Sequence, residues 1–268
     1  MKTIRIFAFC ILAFVFLASL LAEFIAPASY ATQFRRSPNT LPSQQFPLGT
    51  DELGRDRLSR LLYGTRISLL LAPAAALLST LGAALIGGAA GYWGNWWEKI
   101  AVALSDLFLS LPWLFLLLTA RAMLPLNVSP LTSVIITFSL LGLLGWGAPA
   151  RVIRSGAGSL RTSDFVLQAR ANGCRGRRVF LIQVLPNLKP LLFAQFWISV
   201  PTFILAEANL GLLGLGVAEP LPSWGNLLRE LENYSAVKAN PCLLAPLVLL
   251  VIVVSCFQLV LFEKEFSL

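Results

Sequence analysis

Residues 67–97 read ISLLLAPAAALLSTLGAALIGGAAGYWGNWW, a run without a single charge. A helix crossing a bilayer needs about 20 mainly apolar residues, so a charge-free run of this length decides the fold class. Working outward, further apolar stretches lie at 6–22, at 100–122 (interrupted by Asp106 and Pro112), within 129–150, at 190–212 with a lone Glu207, and at 239–262. The chain of 268 residues is 57% hydrophobic and only 13% charged, with a mean hydropathy of +0.75. A soluble domain carries about 25% charged residues, which excludes an ordinary soluble globule and a disordered chain. The expectation is an all-α polytopic membrane protein with about six transmembrane helices. Its segments are a first helix at 1–22, a connecting segment at 23–66, a five-helix core at 67–262 containing a basic loop at 151–189, and a short tail at 263–268.

The net charge of +8 reflects topology, because Lys and Arg concentrate in cytoplasmic loops. The stretch between the fourth and fifth spans holds Arg151, Arg154, Arg161, Arg170, Arg175, Arg177, Arg178 and Lys189 against one acid, Asp164. That loop is expected to be cytoplasmic, which places both termini there as well. The run Arg35 to Arg66 runs against this rule, but interleaved acids and the length of the segment weaken its vote. A basic start before the apolar run at 6–22 also fits a signal peptide; the apolar run is slightly long for one. Nucleic acid is not an expected partner.

No histidine is present, and Cys10, Cys174, Cys242 and Cys256 form no CxxC pair. This removes the usual zinc spacings, the Ser-His-Asp triad and HExxH. No GxxxxGK[ST] loop is present to hold a nucleotide. Gly87 to Gly91 forms a small-residue face for close helix packing, and Tyr92, Trp93, Trp96 and Trp97 are expected as an interfacial aromatic belt. Asp106 and Glu207 are the only acids well inside apolar runs, and intramembrane carboxylates are candidates for a translocation path or gate.

Residues 164–187 read DFVLQARANGCRGRRVFLIQVLPN. They are expected to form a short helix, a break at Gly173, a second short helix and a stop at Pro186. With Ala169, Gly173, Leu185 and Pro186 in place, the stretch resembles the E-A-A-x3-G-x9-I-x-L-P loop of the membrane-spanning subunits of binding-protein-dependent ABC importers. It departs at Leu167, Gln168 and Gln183. The first departure bears on one polar contact to the ATPase and not on the shape of the loop.

Two more blocks narrow the resemblance to the second permease of dipeptide, oligopeptide and nickel importers. These are LGTDELGRD at 48–56, continuing to Leu69, and EANL at 207–210 followed by LGLGV at 213–217 and PSWGN at 222–226. The end of the chain departs, lacking the family's G-D-x-L-R-D tail. The resemblance implies an inner-membrane permease subunit, not an enzyme, that pairs with a second permease, two cytoplasmic ATP-binding subunits and an external substrate-binding protein. It implies no cofactor on this chain, ATP and Mg2+ being held by the ATPases. The transported solute would be a peptide or a related small molecule, a metal chelate included.

The loop would be the ATPase-coupling helix, with Gln168, Ala169, Arg170, Gly173, Leu185 and Pro186 at the contact. Asp106, Glu207, Trp224 and Asn226 are candidates for the translocation path or gate. Asp51, Arg55, Asp56 and Arg60 are expected to pair among themselves at the outer surface, holding a short helix near the binding-protein dock. The competing readings are an autonomous ion-coupled transporter or channel using Asp106 and Glu207, and a membrane hydrolase.

Overall fold

The computed structural model describes residues 2–125 and 128–262; the expected tail at 263–268 lies outside the described residues. The chain is all-α, with no strand among the described residues beyond an isolated bridge between Thr50 and Asp56. Among the described residues, five helices are long and apolar enough to cross a membrane. A sixth span results when α4 (Asn95–Ser110) and α5 (Trp113–Ala122), bent by 87° at their junction, count as one. The break is at Pro112, whose ring removes a backbone donor and restricts the residue before it.

The chain divides into two compact units, 1–72 with 121–138 and 201–268, and 73–120 with 139–200. In the first, α1 (Lys2–Leu20) packs along α14 (Ala245–Phe262). The far side of α1 exposes Ile6, Phe7 and Phe14, each by more than half, as a lipid-facing helix does. After the short α2 (Ala22–Ile25), residues 26–56 form an ordered coil. Main-chain bonds from Phe34 to Gly54 and from Asn39 to Asp51 cross it, and Phe34 stacks edge-on to Phe46. The helix α3 then runs from Arg57 to Trp93, ten residues earlier than the charge pattern suggests. Arg57, Arg60 and Arg66 each have a carboxylate partner, so their charges do not force a loop. The unit also holds α12 (Trp224–Arg229) and α13 (Tyr234–Ala239).

The second unit is built around α7 (Gly147–Arg161), which continues the apolar helix α6 (Pro130–Leu144). Arg151 and Arg154 therefore sit on a helix, not in the expected loop. One face of α7 buries Pro149, Ala150, Ile153 and Ala157, spaced three or four apart as a helix requires. The small-residue face of α3 meets it: a Cβ on Gly87 would lie 2.9 Å from Ala150 Cα, and one on Gly91 2.8 Å from Ala157 Cβ. Glycine is needed because the two backbones touch. α7 is also tied to α4 by Arg154–Glu98 at 2.5 Å and by Arg151–Asp106.

Candidate functional site

The basic loop consists of α8 (Asp164–Ala171), a turn, α9 (Gly176–Val179), a π-helical turn at Phe180–Val184 and α10 (Leu185–Asn187), leading into α11 (Lys189–Leu212). The turn follows from Gly173. It sits at φ +75°, its N–H donates to Arg170 O at 3.0 Å, and Cys174 N–H donates to Ala169 O at 3.1 Å. These are the two bonds of a Schellman cap, which satisfies the last carbonyls of α8. No atom of the described residues lies within 4 Å of where a Cβ would stand, so the backbone angle is what calls for glycine.

Val166 and Ala169 face inward, into a cluster with Tyr92, Ile153, Val179 and Phe180. Arg170 lays its guanidinium 4.8 Å from the centre of the Tyr92 ring, a cation–π contact that pins α8 to the end of α3. Gln168 is exposed, as are Phe165 and Leu167, while Leu185 and Pro186 are half-buried. Pro186 does not stop the helix as its sequence suggests. It occupies the first turn of α10, where a missing N–H is tolerated, and the wider π turn before it shifts the hydrogen-bond ladder. Tyr92 likewise leaves the expected aromatic belt: it is buried, while Trp96 and Trp97 remain exposed.

In the first unit, Asp51 is the hub of a charged cluster. Its Oδ1 accepts from the main-chain N–H of Leu53 (3.0 Å) and Arg55 (2.7 Å). Its Oδ2 accepts from Arg55 Nε (2.6 Å) and Arg60 Nη1 (3.0 Å). Glu219 receives a second bond from each arginine, at 2.6 and 2.8 Å. The expected pairing is present, but the placement differs from a surface cluster: Asp51, Arg55 and Arg60 are 3%, 8% and 1% exposed. Burial works against the Arg55 guanidinium, yet its bond to Asp51 and the charges of Glu219 and Asp51 hold its pKa above the ordinary value. Among the described residues, Asp56 takes no part in the ion pairs. Its Oδ2 accepts from Ser59 N–H (2.7 Å) and Ser59 Oγ (2.6 Å), the N-cap that starts α3. Glu219 had no local signal, since it stands more than 150 residues from the arginines it joins; the surplus of arginine over acid in 51–66 was the available hint.

Glu207 is fully buried in α11. Ser68 Oγ donates to its Oε2 at 3.3 Å and accepts from Trp224 N–H at 3.4 Å. The Ser223 hydroxyl and Gly225 N–H approach the same carboxylate, yet Oε1 finds no well-directed donor. Trp224 is buried, with Nε1 donating to Thr65 Oγ1 at 3.0 Å. Asn226 donates to Val217 O (2.8 Å) and Leu221 O (3.2 Å), bracing the segment before α12. A Cβ on Gly211 would lie 2.5 Å from Gly225 C, so the two glycines let these chains meet. Glu207 and Trp224 are thus joined through Ser68, whereas Asp106 has its own partner in Arg151. Arg121, which no motif singled out, is buried and bonds to Ser133 Oγ (3.1 Å) and Pro125 O (3.3 Å).

Comparison with known proteins gives this arrangement its context. The family described as binding-protein-dependent transport system inner membrane component matches residues 83–262. The dipeptide transport system permease protein DppC of Bacillus subtilis is 34% identical over 220 residues, covering 82% of this chain and 67% of that protein. The di/tripeptide transport system permease protein DppC of Pseudomonas aeruginosa is 35% identical over 81% of this chain and 71% of its own length. The oligopeptide transport system permease protein OppC of Bacillus subtilis is 30% identical over 82% and 70%. With the apolar spans and these matches together, the chain belongs to the family of inner-membrane permease components of binding-protein-dependent ABC transport systems.

Proposed function

We propose that this permease imports peptides, as one of two membrane subunits driven by two cytoplasmic ATP-binding subunits and fed by an external binding protein. The observation that carries the reading is the match over 81–82% of the chain to permeases named for dipeptide, di/tripeptide and oligopeptide transport. ATP and Mg2+ belong to the partner subunits. The termini and the 164–187 loop face the cytoplasm, in keeping with the density of basic residues there.

The loop transmits the ATPase stroke. Gln168, with Phe165 and Leu167 on the exposed side of α8, meets the ATPase, while Ala169 works by packing that helix onto the bundle. Arg170, through Tyr92, ties loop movement to α3, and Gly173 sets the turn. Leu185 and Pro186 join the loop to α11. Alternating access then follows from a bistable membrane bundle biased by the state of the ATPases. Glu207, Trp224 and Asn226 hold the gate-forming segment 217–226, and Asp51, Arg55, Asp56 and Arg60 shape the outer coil where the binding protein docks. Asp106 serves as a tie between α4 and α7.

The test is purification of the chain from native membranes in mild detergent, with subunit identification and ATPase and peptide-uptake assays after reconstitution. Co-purification of a second permease and ATPases, lost when Ala169 and Gly173 are replaced by glutamate, and ATP-dependent dipeptide uptake are expected. A chain that purifies alone and moves an ion or solute without ATP overturns the reading.

A further inference from the structure

Residues 216–222 read GVAEPLP and lie between α11 and α12. Pro220 and Pro222 have no N–H to give, and among the described residues this stretch makes no main-chain to main-chain hydrogen bond. Side chains hold it instead. Ser133 Oγ donates to Gly216 O at 3.3 Å and accepts from Ala218 N–H at 3.1 Å. The Asn226 amide donates to Val217 O and Leu221 O. Between these anchors, Glu219 reaches out of the segment: its Oε2 accepts from Arg55 Nη1 at 2.6 Å and its Oε1 from Arg60 Nη2 at 2.8 Å. The anchors are neutral bonds, each worth about 1 kcal/mol. The two bonds to Glu219 are charge-assisted, and so are the stronger fastening.

The two arginines belong to different parts of the unit. Arg55 closes the coil of 26–56, which is cross-linked by the bonds from Phe34 N–H to Gly54 O and from Asn39 N–H to Asp51 O. Arg60 stands in the first turn of α3. Asp51 Oδ2 holds both guanidiniums whatever Glu219 does. Glu219 meets both only while the coil and the helix keep this register, because such bonds need about 2.7–3.2 Å. Its side chain is 51% exposed, against 9% and 1% for the arginines. It is thus the member of the cluster that water can replace, and the one whose release leaves the rest in place.

We propose that Glu219 is a positioning residue that couples the outer coil to the gate. It fastens 216–222 while the coil sits in this register on α3, and displacement of the coil by a docked binding protein releases it. This rests on the reading above, in which the coil is the dock and 217–226 forms the gate. A segment with no main-chain ladder of its own opens locally at low cost, so loosening its strongest side-chain tie is sufficient to mobilise it.

The test uses the complex purified from native membranes with its partner subunits and reconstituted in nanodiscs, with the external binding protein loaded with a dipeptide. In Glu219→Gln, ATP hydrolysis without binding protein is expected to rise and the stimulation on adding it to shrink, because coupling between two sites is reciprocal. Glu219→Asp, which keeps the charge, restores most of the stimulation. Hydrogen exchange of peptides spanning 213–219 is expected to be about tenfold faster in Glu219→Gln, the worth of one hydrogen bond to a charged group. Glu23→Gln, which breaks an exposed pair elsewhere on α3, changes neither readout. Exchange at the native rate in Glu219→Gln overturns the proposal. So does faster exchange with stimulation unchanged, which makes Glu219 a structural tie only, and so does a joint fall of the basal and stimulated rates. A native complex that ignores the binding protein overturns the transport reading and this inference with it. A native complex that responds, beside a Glu219→Gln complex that responds equally, overturns this inference alone.

Discussion

Replacing Asp51 by asparagine tests whether the charged cluster at the start of α3 is a buried network or a set of surface pairs. The side chain keeps an oxygen for the Leu53 and Arg55 N–H groups, so the local turn survives. It loses the charge that Arg55 Nε and Arg60 Nη1 share at 2.6 and 3.0 Å. With side chains 9% and 1% exposed, both guanidiniums are left with Glu219, itself half exposed. Removing one partner of a buried pair costs about 3–5 kcal/mol; the continuing bonds to Glu219 place this case near the lower end. At about 1.4 kcal/mol per decade, opening of the segment becomes on the order of a hundredfold more frequent. Native-state hydrogen exchange by mass spectrometry, on peptides spanning 49–60, reads that opening directly. Glu23→Gln is the control: it breaks the exposed Arg66–Glu23 pair, worth about 1 kcal/mol at most. If Asp51→Asn speeds exchange no more than this control does, the argument from burial is wrong.

Thr65→Val leaves the buried Trp224 Nε1–H without its acceptor and is expected to lower stability by about 1–3 kcal/mol, measured by thermal unfolding in detergent. Gly91→Val forces a side chain against α7, where even a Cβ stands 2.8 Å from Ala157 Cβ; about 1–3 kcal/mol of overpacking is expected in the same assay. Gly173→Ala meets no atom and costs only the left-handed backbone, about 1–2 kcal/mol, and Gly173→Asn costs less; equal melting of both with the native protein would remove the turn argument. Burial raises the Glu230 carboxyl above its ordinary pKa, against the pull of Arg57 and Arg60. A raised folded-state value favours the fold below about pH 4.3, the unfolded value, and that contribution is lost as pH rises through the folded pKa. The stability of the native protein relative to Glu230→Gln should therefore fall from acid toward neutral pH; a flat difference contradicts this.

The spans were legible because charge-free runs have few other physical outlets, and the loop was legible because Gly173 and its spacing dictate a local turn. What escaped was long-range pairing. The start of α3 at Arg57 was hidden because arginines read as solvent-facing until Glu219, Glu230 and Glu23 are known to meet them. Pro186 misled because the π turn that accommodates it has no sequence mark. Tyr92 looked like its tryptophan neighbours, yet Phe180 and Arg170, nearly ninety and eighty residues onward, draw it into the core. Glu207 and Asp106 looked alike as lone acids; the first is enclosed by serines and the second answered by Arg151.

The two kinds of ion pair in this chain will respond differently to dissolved salt. Exposed charges are screened over about 8–10 Å at moderate ionic strength, whereas buried ones are screened far less. The Arg66–Glu23 and Arg151–Asp106 pairs, each open to solvent on both sides, weaken as salt rises. The Asp51–Arg55–Arg60 hub, closed to it, keeps the coil before α3 in one shape across dilute and concentrated media alike.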